Sequence, residues 1–239
     1  MVLAVIPARY ASTRFPGKPL VMLGEKSMIQ RVYDQVMLSE CVDRVVVATD
    51  DERIFLHVQQ FGGMVIMTRA DHQSGTDRCA EIATHFPEAT WIINVQGDEP
   101  FIQPEQIDLL YVALIASKNG IATLAKKENQ QSVLLNPNIV KVVINQHQEA
   151  LYFSRFPIPF ARNTPEAGIT GWKHIGMYGF NKSTLFELAK LEPTALEQTE
   201  SLEQLRWLDH GYRIAVGQTT METIGIDTPE DLYAAAAFL

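Results

Sequence analysis

Residues 2–20 read VLAVIPARYASTRFPGKPL. Val2–Ile6 is a short apolar run stopped by Pro7, the pattern of a strand buried on both faces. The loop after it carries Arg9, Arg14 and Lys18, the hydroxyls of Ser12 and Thr13, and Gly17. In a parallel α/β sheet, the loop after a strand lies at the carboxyl edge, where ligands bind. Cations and backbone N–H groups that converge there form an anion site. A triphosphate suits it, because Arg offers forked hydrogen bonds and Lys a point charge. A solvated basic loop on an acidic protein would carry the same residues.

Outward from this loop the pattern repeats as strand, loop, helix. Ser27-Met-Ile-Gln30 is a capping box, and apolar residues follow at Ile29, Val32, Val36 and Met37, so a helix is expected to start there. Arg44–Thr49 reads as the second strand, Glu52–Phe61 as a helix ended by Gly62-Gly63, and Val65–Met67 as a third strand. Gly75–Phe86 reads as a helix, Trp91–Val95 as a buried strand and Pro104–Lys118 as a long helix. Strands are expected at Ile121–Ala125, Ile139–Ile144, Ile175–Phe180, Arg213–Gly217 and Glu222–Ile226. Helices are expected at Ser183–Leu191, at Glu200–His210 and from Thr228-Pro-Glu-Asp231 onward. The alternation predicts a mostly parallel sheet with helices on both faces. Arg155–Trp172, with Pro157, Pro159 and Pro165, lacks periodicity and reads as a functional segment or an interface arm.

Composition narrows the function. Hydrophobic residues make up 46% and charged residues 20%, as in ordinary globular chains. The net charge of -8 argues against non-specific nucleic-acid binding, which needs many phosphate-neutralising cations. No apolar run approaches a membrane span, and Val2–Ile6 is too short for a signal peptide, so a cytoplasmic protein is expected. Cys41 and Cys79 read as buried free thiols. Gly17-Lys18 is followed by Pro19, which excludes a Walker A loop, and no GxGxxG, HExxH or GxSxG occurs.

Asp98 follows the strand WIINV, and Asp227 follows the expected strand ending at Ile226. Both belong at the carboxyl edge, where carboxylates opposite a phosphate loop suit Mg²⁺. Each has a simpler reading as well, Asp98 as a turn residue and Asp227 as a helix cap. Ser74 reads as the cap of the following helix and Arg78 as a surface charge, or the two as part of a base pocket. Asp50 and Asp51 read as helix caps. His174 and Tyr178 share a strand, and Glu203 and Gln204 a helix; each pair also suits ordinary half-buried or solvent-facing positions.

The string IPARYASTRFPGKPL resembles the signature of the bacterial 3-deoxy-manno-octulosonate (Kdo) cytidylyltransferases. Further matches are Ser74-Gly-Thr-Asp-Arg78, Asn94-Val-Gln-Gly-Asp-Glu-Pro100, Tyr152-Phe-Ser-Arg155 with Pro157-Ile-Pro159, His174-Ile-Gly-Met-Tyr-Gly179, Glu200-Ser-Leu-Glu-Gln-Leu-Arg206 and Asp227-Thr-Pro-Glu-Asp-Leu232. They run in order along essentially the whole chain. Sialic-acid cytidylyltransferases look like IPARGGSK in the first loop, which this sequence lacks.

The resemblance implies a three-layer, Rossmann-like nucleotide-diphospho-sugar transferase fold with a mixed, mostly parallel central sheet. It implies one cytidylyltransferase domain over residues 1–239, with a small dimerisation arm within about 139–182, and a homodimer. The implied reaction transfers CMP from CTP to Kdo or a close analogue such as 8-amino-Kdo, with loss of pyrophosphate, for lipopolysaccharide biosynthesis. Arg14, Lys18, Asp98 and Asp227 are then catalytic, and Asp98 and Asp227 hold Mg²⁺. Pro7, Ala8, Arg9, Arg14, Lys18, Ser74, Gly75, Arg78 and Gln96 bind nucleotide. Gln96, Arg155, His174, Tyr178, Glu203 and Gln204 bind the acid sugar. A nucleotide-sugar-dependent glycosyltransferase with a similar nucleotide half is the competing class.

Overall fold

The computed structural model describes residues 1–11, 15–162, 170–223, 225–226 and 228–235. The chain divides into two compact units, Met1–Asp108 with Thr223–Leu239, and Leu109–Glu222.

In the first unit, β1 (Val2–Ala8) lies between β4 (Arg44–Thr49) and β6 (Trp91–Asn94), and β5 (Val65–Met67) pairs with the far side of β4. All four strands are parallel. Leu3 is opposite Arg44 and Ile92, and Ala8 is opposite Thr49. A small antiparallel hairpin of β2 (Met22–Leu23) and β3 (Lys26–Ser27) leads into α1 (Met28–Met37). The crossover helices are α1, α2 (Glu52–Gln60) and α3 (Gly75–Thr84). β1 is buried from Val2 to Ile6, and so are Val45–Ala48 and Ile92–Ile93, the dry interior expected of parallel strands. The apolar side of α1 (Met28, Ile29, Val32, Val36) is fully buried, and Ser27 caps that helix by accepting from the Gln30 N–H.

Pro7 does not stop β1. It pairs with Ala48, and the strand runs on to Ala8. Proline is rare in a central strand because it has no N–H to donate. Here its carbonyl is the closest neighbour of the Gly97 α-carbon direction, 2.9 Å from where a Cβ would stand, so only glycine fits at 97. The segment 222–226 is not the expected strand among its described residues. The Ile226 N–H donates instead to the carbonyl of Asp98, so this segment serves the β6 loop rather than a ladder. α9 (Pro229–Ala235) follows it, capped by Thr228.

In the second unit, β7 (Ile121–Glu128) is flanked by antiparallel β10 (Gly171–Asn181) and parallel β11 (Ala215–Thr219). β8 (Lys141–Ile144) pairs antiparallel with the start of β10 and with β9 (Ala150–Ser154). The sheet is therefore mixed. The first residues of β10 belong to the segment read as aperiodic, and β9 has no counterpart in the sequence reading. The helices are α4 (Pro104–Ala116), which joins the two units in sequence, α5 (Gln131–Leu134), α6 (Lys182–Leu188), α7 (Ala195–Glu200) and α8 (Gln204–Asp209). The helix expected over 200–210 is shorter, α8 from Gln204; α7, not expected from sequence, ends at Glu200, and between them Ser201 takes a left-handed conformation (φ 51°) and Leu202 is buried. No described helix is long and apolar enough to cross a membrane.

Candidate active site

The carboxyl ends of β1 and β6 open onto a cavity of about 310 Å³ in the first unit. Its walls include Pro7, Ala8, Arg9, Lys18, Gly75, Gln96 and Asp98. Seven residues picked from sequence thus meet at one sheet edge. Ala11, Pro19 and Gly97 also line it, and the sequence signal for Gly97 is its place between Gln96 and Asp98. Gly17 adopts φ +72° and its N–H donates to the Tyr10 carbonyl at 2.9 Å, which folds the loop back and starts the short 3₁₀ turn Lys18–Leu20. That turn aims Lys18 across the cavity, where its Nζ donates to Asp98 Oδ2 at 2.6 Å. Arg9 donates from Nη2 to the carbonyl of His72. Among the described residues, the cavity therefore holds two cations against one carboxylate. Arg14 and Asp227 lie outside the described residues.

Ser74 is the N-cap of α3: its Oγ accepts from the Asp77 N–H, and Asp77 Oδ2 accepts from the Ser74 N–H, both at 3.1 Å. Arg78 is not a surface charge. It is fully buried one turn along α3, where it donates to Thr68 Oγ1 and, at 3.1 Å, to Asp50 Oδ2. Its Nε–H has no protein partner. Asp50 is thus a counter-ion for Arg78, while Asp51 caps α2 by accepting from the Arg53 N–H. Cys79 is buried and Cys41 only half-buried; burial is the main cause that pushes the Cys41 thiol up to about 12, so it stays protonated.

The second unit holds the other candidates. His174 and Tyr178 are buried with ring centroids 5.4 Å apart, and Trp207 packs edge-on to Tyr178 at 5.0 Å. A bulge in β10 between Ile175 and Tyr178 brings the Thr123 hydroxyl to 2.8 Å from the Met177 carbonyl and 2.9 Å from His174 Nε2. A hydroxyl has one proton, so donation to Met177 leaves its oxygen to accept from Nε2–H of a neutral imidazole. Burial lowers the His174 pKa to about 3. The Trp207 indole N–H is buried without a hydrogen-bond partner, and the Tyr178 hydroxyl is buried beside Thr123. Gln204 is buried beside them on α8, not solvent-facing, and Glu203 stands at the head of that helix. Arg155 is committed to the α7–α8 turn: its guanidinium donates to the carbonyls of Glu200, Pro137 and Ser201 at 2.8, 3.2 and 3.3 Å.

His174 links this site to pH. An unfolded histidine titrates near its ordinary value of 6.5, whereas His174 in the fold stays neutral down to about 3. A depressed folded pKa contributes stability that is present above 6.5 and lost as pH falls toward 3. The expected slope is about 1.4 kcal/mol per pH unit from this residue alone. Urea denaturation at pH 7 and pH 5 should show it, and His174→Gln should remove it; an unchanged slope in the variant contradicts a buried neutral His174.

Comparison with known proteins fits this arrangement. Residues 3–214 match the family model described as Cytidylyltransferase. The chain is 52% identical, over 97% of its length and 94% of the relative's, to 3-deoxy-manno-octulosonate cytidylyltransferase of Cytophaga hutchinsonii. It is 51% identical, over 99% and 97%, to the protein of the same name from Bacteroides thetaiotaomicron. Among solved structures, CMP:2-keto-3-deoxy-manno-octonic acid synthetase complexed with CTP superposes with a TM-score of 0.91 at 42% identity, covering 99% of this chain and 97% of that one. HddC from Yersinia pseudotuberculosis, at 16% identity and a TM-score of 0.70, shares the fold. With the fold matched end to end and half its residues identical to theirs, this chain belongs to the 3-deoxy-manno-octulosonate cytidylyltransferase family.

Proposed function

We propose that this chain transfers CMP from CTP to the anomeric 2-hydroxyl of Kdo, releasing pyrophosphate and activating the sugar for lipopolysaccharide assembly in the cytoplasm. The observation that carries the reading is the convergence of Arg9, Lys18, Gln96 and Asp98 on one cavity at the carboxyl edge of β1 and β6. The hydroxyl oxygen forms a bond to the α-phosphorus, the bond from that phosphorus to the bridging oxygen breaks, and the hydroxyl proton is lost. Such a transfer asks for positioning and charge stabilisation rather than covalent help. Arg9, Lys18 and Arg14 hold the phosphates, and Lys18 meets charge that grows on the leaving oxygen. The buried, unpartnered Arg78 Nε–H and the α3 start at Ser74 and Gly75 support a cytosine site, whose O2 and N3 accept hydrogen bonds.

The donor set suits Mg²⁺. Asp98 offers a hard carboxylate on the cavity wall, and the described residues hold no cluster of three or more His, Cys, Asp or Glu that would bind a metal alone. Mg²⁺ commonly takes one or two carboxylates and leaves its remaining positions to phosphate and water. Asp98 and Asp227 would hold it. When bound, the ion supplies charge neutralisation to the triphosphate and lowers the pKa of an oxygen it binds.

In the second unit, the buried Trp207 N–H without a hydrogen-bond partner, with Tyr178, His174, Glu203 and Gln204, supports recognition of a polyhydroxylated acid sugar. Arg155 acts there through the α7–α8 turn that presents Glu203. Pyrophosphate-release assays with Kdo, its 8-amino analogue and sialic acid test this choice; equal rates with sialic acid count against it. The exposed Phe156 (73%) and Phe160 (83%) support a dimer through the segment around them. Sedimentation at micromolar concentration should give about twice 26.8 kDa, and a monomer there overturns the dimer.

A further inference from the structure

Arg9 reaches its place in the cavity through a chain of contacts that begins outside it. The loop between β5 and α3 carries His72, whose carbonyl accepts from Arg9 Nη2. The imidazole of the same residue points the other way and bonds through Nε2 to Glu81 Oε2 on α3. That carboxylate oxygen also accepts from the backbone N–H of Arg69 at 3.1 Å. The His72 side chain is 9% exposed and that of Glu81 24%, so the link is shielded from solvent competition. Burial works against the Glu81 charge, yet the bonds from His72 and Arg69 hold its carboxyl below the ordinary range. One carboxylate on a rigid helix therefore fixes the loop at two points, Arg69 and His72. The exposed residues of the loop add local contacts, Arg69 Nε to Asp71 Oδ1 at 2.9 Å and Gln73 Nε2 to the Asp71 carbonyl at 2.9 Å.

We propose that Glu81 and His72 are positioning residues for Arg9, which set the affinity of the cavity for the triphosphate of a nucleotide without touching it. Arg9 is a long side chain with several rotatable bonds, and holding one of its nitrogens on a fixed carbonyl removes freedom before the ligand arrives. The remaining donors of the fork then face the cavity in one arrangement. If the loop is released, Arg9 must be ordered at the moment of binding, and affinity falls. The loss shows in CTP affinity rather than in turnover, because once CTP is bound Arg9 is in place again.

The inference rests on the phosphate reading of the cavity, and the test separates the two. CTP binding is measured calorimetrically with Mg²⁺ and no sugar for the wild type, Glu81→Ala, Arg9→Ala and the double variant. Glu81→Ala should weaken CTP about tenfold, and should weaken it no further in the Arg9→Ala background, the non-additivity expected of coupled residues. Glu81→Gln keeps an oxygen that accepts from His72 and Arg69, and should restore affinity to within about threefold. In steady state, Glu81→Ala should raise KM for CTP and leave kcat and KM for Kdo within about twofold. If Glu81→Ala does not fold, His72→Ala runs the same cycle, since it removes the imidazole and keeps the carbonyl. An equal loss from Glu81→Ala with and without Arg9, or no loss at all, overturns the positioning role while the wild type still binds CTP. A wild type that binds no CTP removes the phosphate reading and the inference with it.

Discussion

Replacing Lys18 with alanine should lower turnover by about 10²–10³, the usual cost of losing one donor aimed at developing charge. The geometry explains why the effect falls on kcat. Gly17 in its left-handed turn presents Lys18 at the cavity, and Asp98 holds the ammonium group 2.6 Å away. The negative charge on the leaving pyrophosphate grows as the bond to the α-phosphorus breaks, so the cation does more for the transition state than for bound CTP. CTP affinity should change only several-fold, because Arg9 and Arg14 remain. Single-turnover rates with CTP binding measured in parallel check this; an unchanged kcat with only a raised KM for CTP contradicts the assignment.

Asp98→Asn is expected to be as damaging, about 10²–10³ in rate, if the carboxylate holds Mg²⁺. The amide keeps the shape and can still accept from Lys18, so the fold should survive. Asp227→Asn should behave alike. Its simpler role as the cap of α9 is already filled: Thr228 Oγ1 accepts from the Asp231 N–H at 3.2 Å, and Asp231 Oδ2 accepts from the Thr228 N–H at 2.9 Å. A cap lost would cost up to about 2 kcal/mol in stability with turnover intact. The metal role predicts the reverse, an unchanged melting temperature and turnover partly restored by excess Mn²⁺. Near-normal turnover at low Mg²⁺ in either variant would remove the carboxylates from the metal site.

Much of the first unit was legible because its central strands, β1, β4 and β6, are largely buried and read as bare apolar runs. Arg44–Thr49 and Val65–Met67 match residue for residue, and Ser27 and Ser74 cap their helices as their neighbours suggested. Where one residue type serves two physical ends, the reading failed. Pro7 looks like a strand end, but β1 continues through it, with Pro7 opposite Ala48 and Ala8 opposite Thr49. Ser201 gives no turn signal, because a left-handed serine is set by the packing of Leu202 and by Arg155 on the Glu200 and Ser201 carbonyls. Arg78 has an ordinary place on a helix; only the fold brings Asp50 and Thr68 to it across intervening sequence. The Glu81–His72 link was invisible for the same reason, since neither residue belongs to a motif that carries chemistry.

Phosphorus NMR on the purified protein with CTP, Mg²⁺ and Kdo tests the central claim most directly. The three CTP signals should decline together while pyrophosphate and one new phosphodiester, CMP-Kdo, appear in equal amounts, and only when Kdo is present. Loss of CTP without a new phosphodiester, or at the same rate with no sugar added, would contradict it.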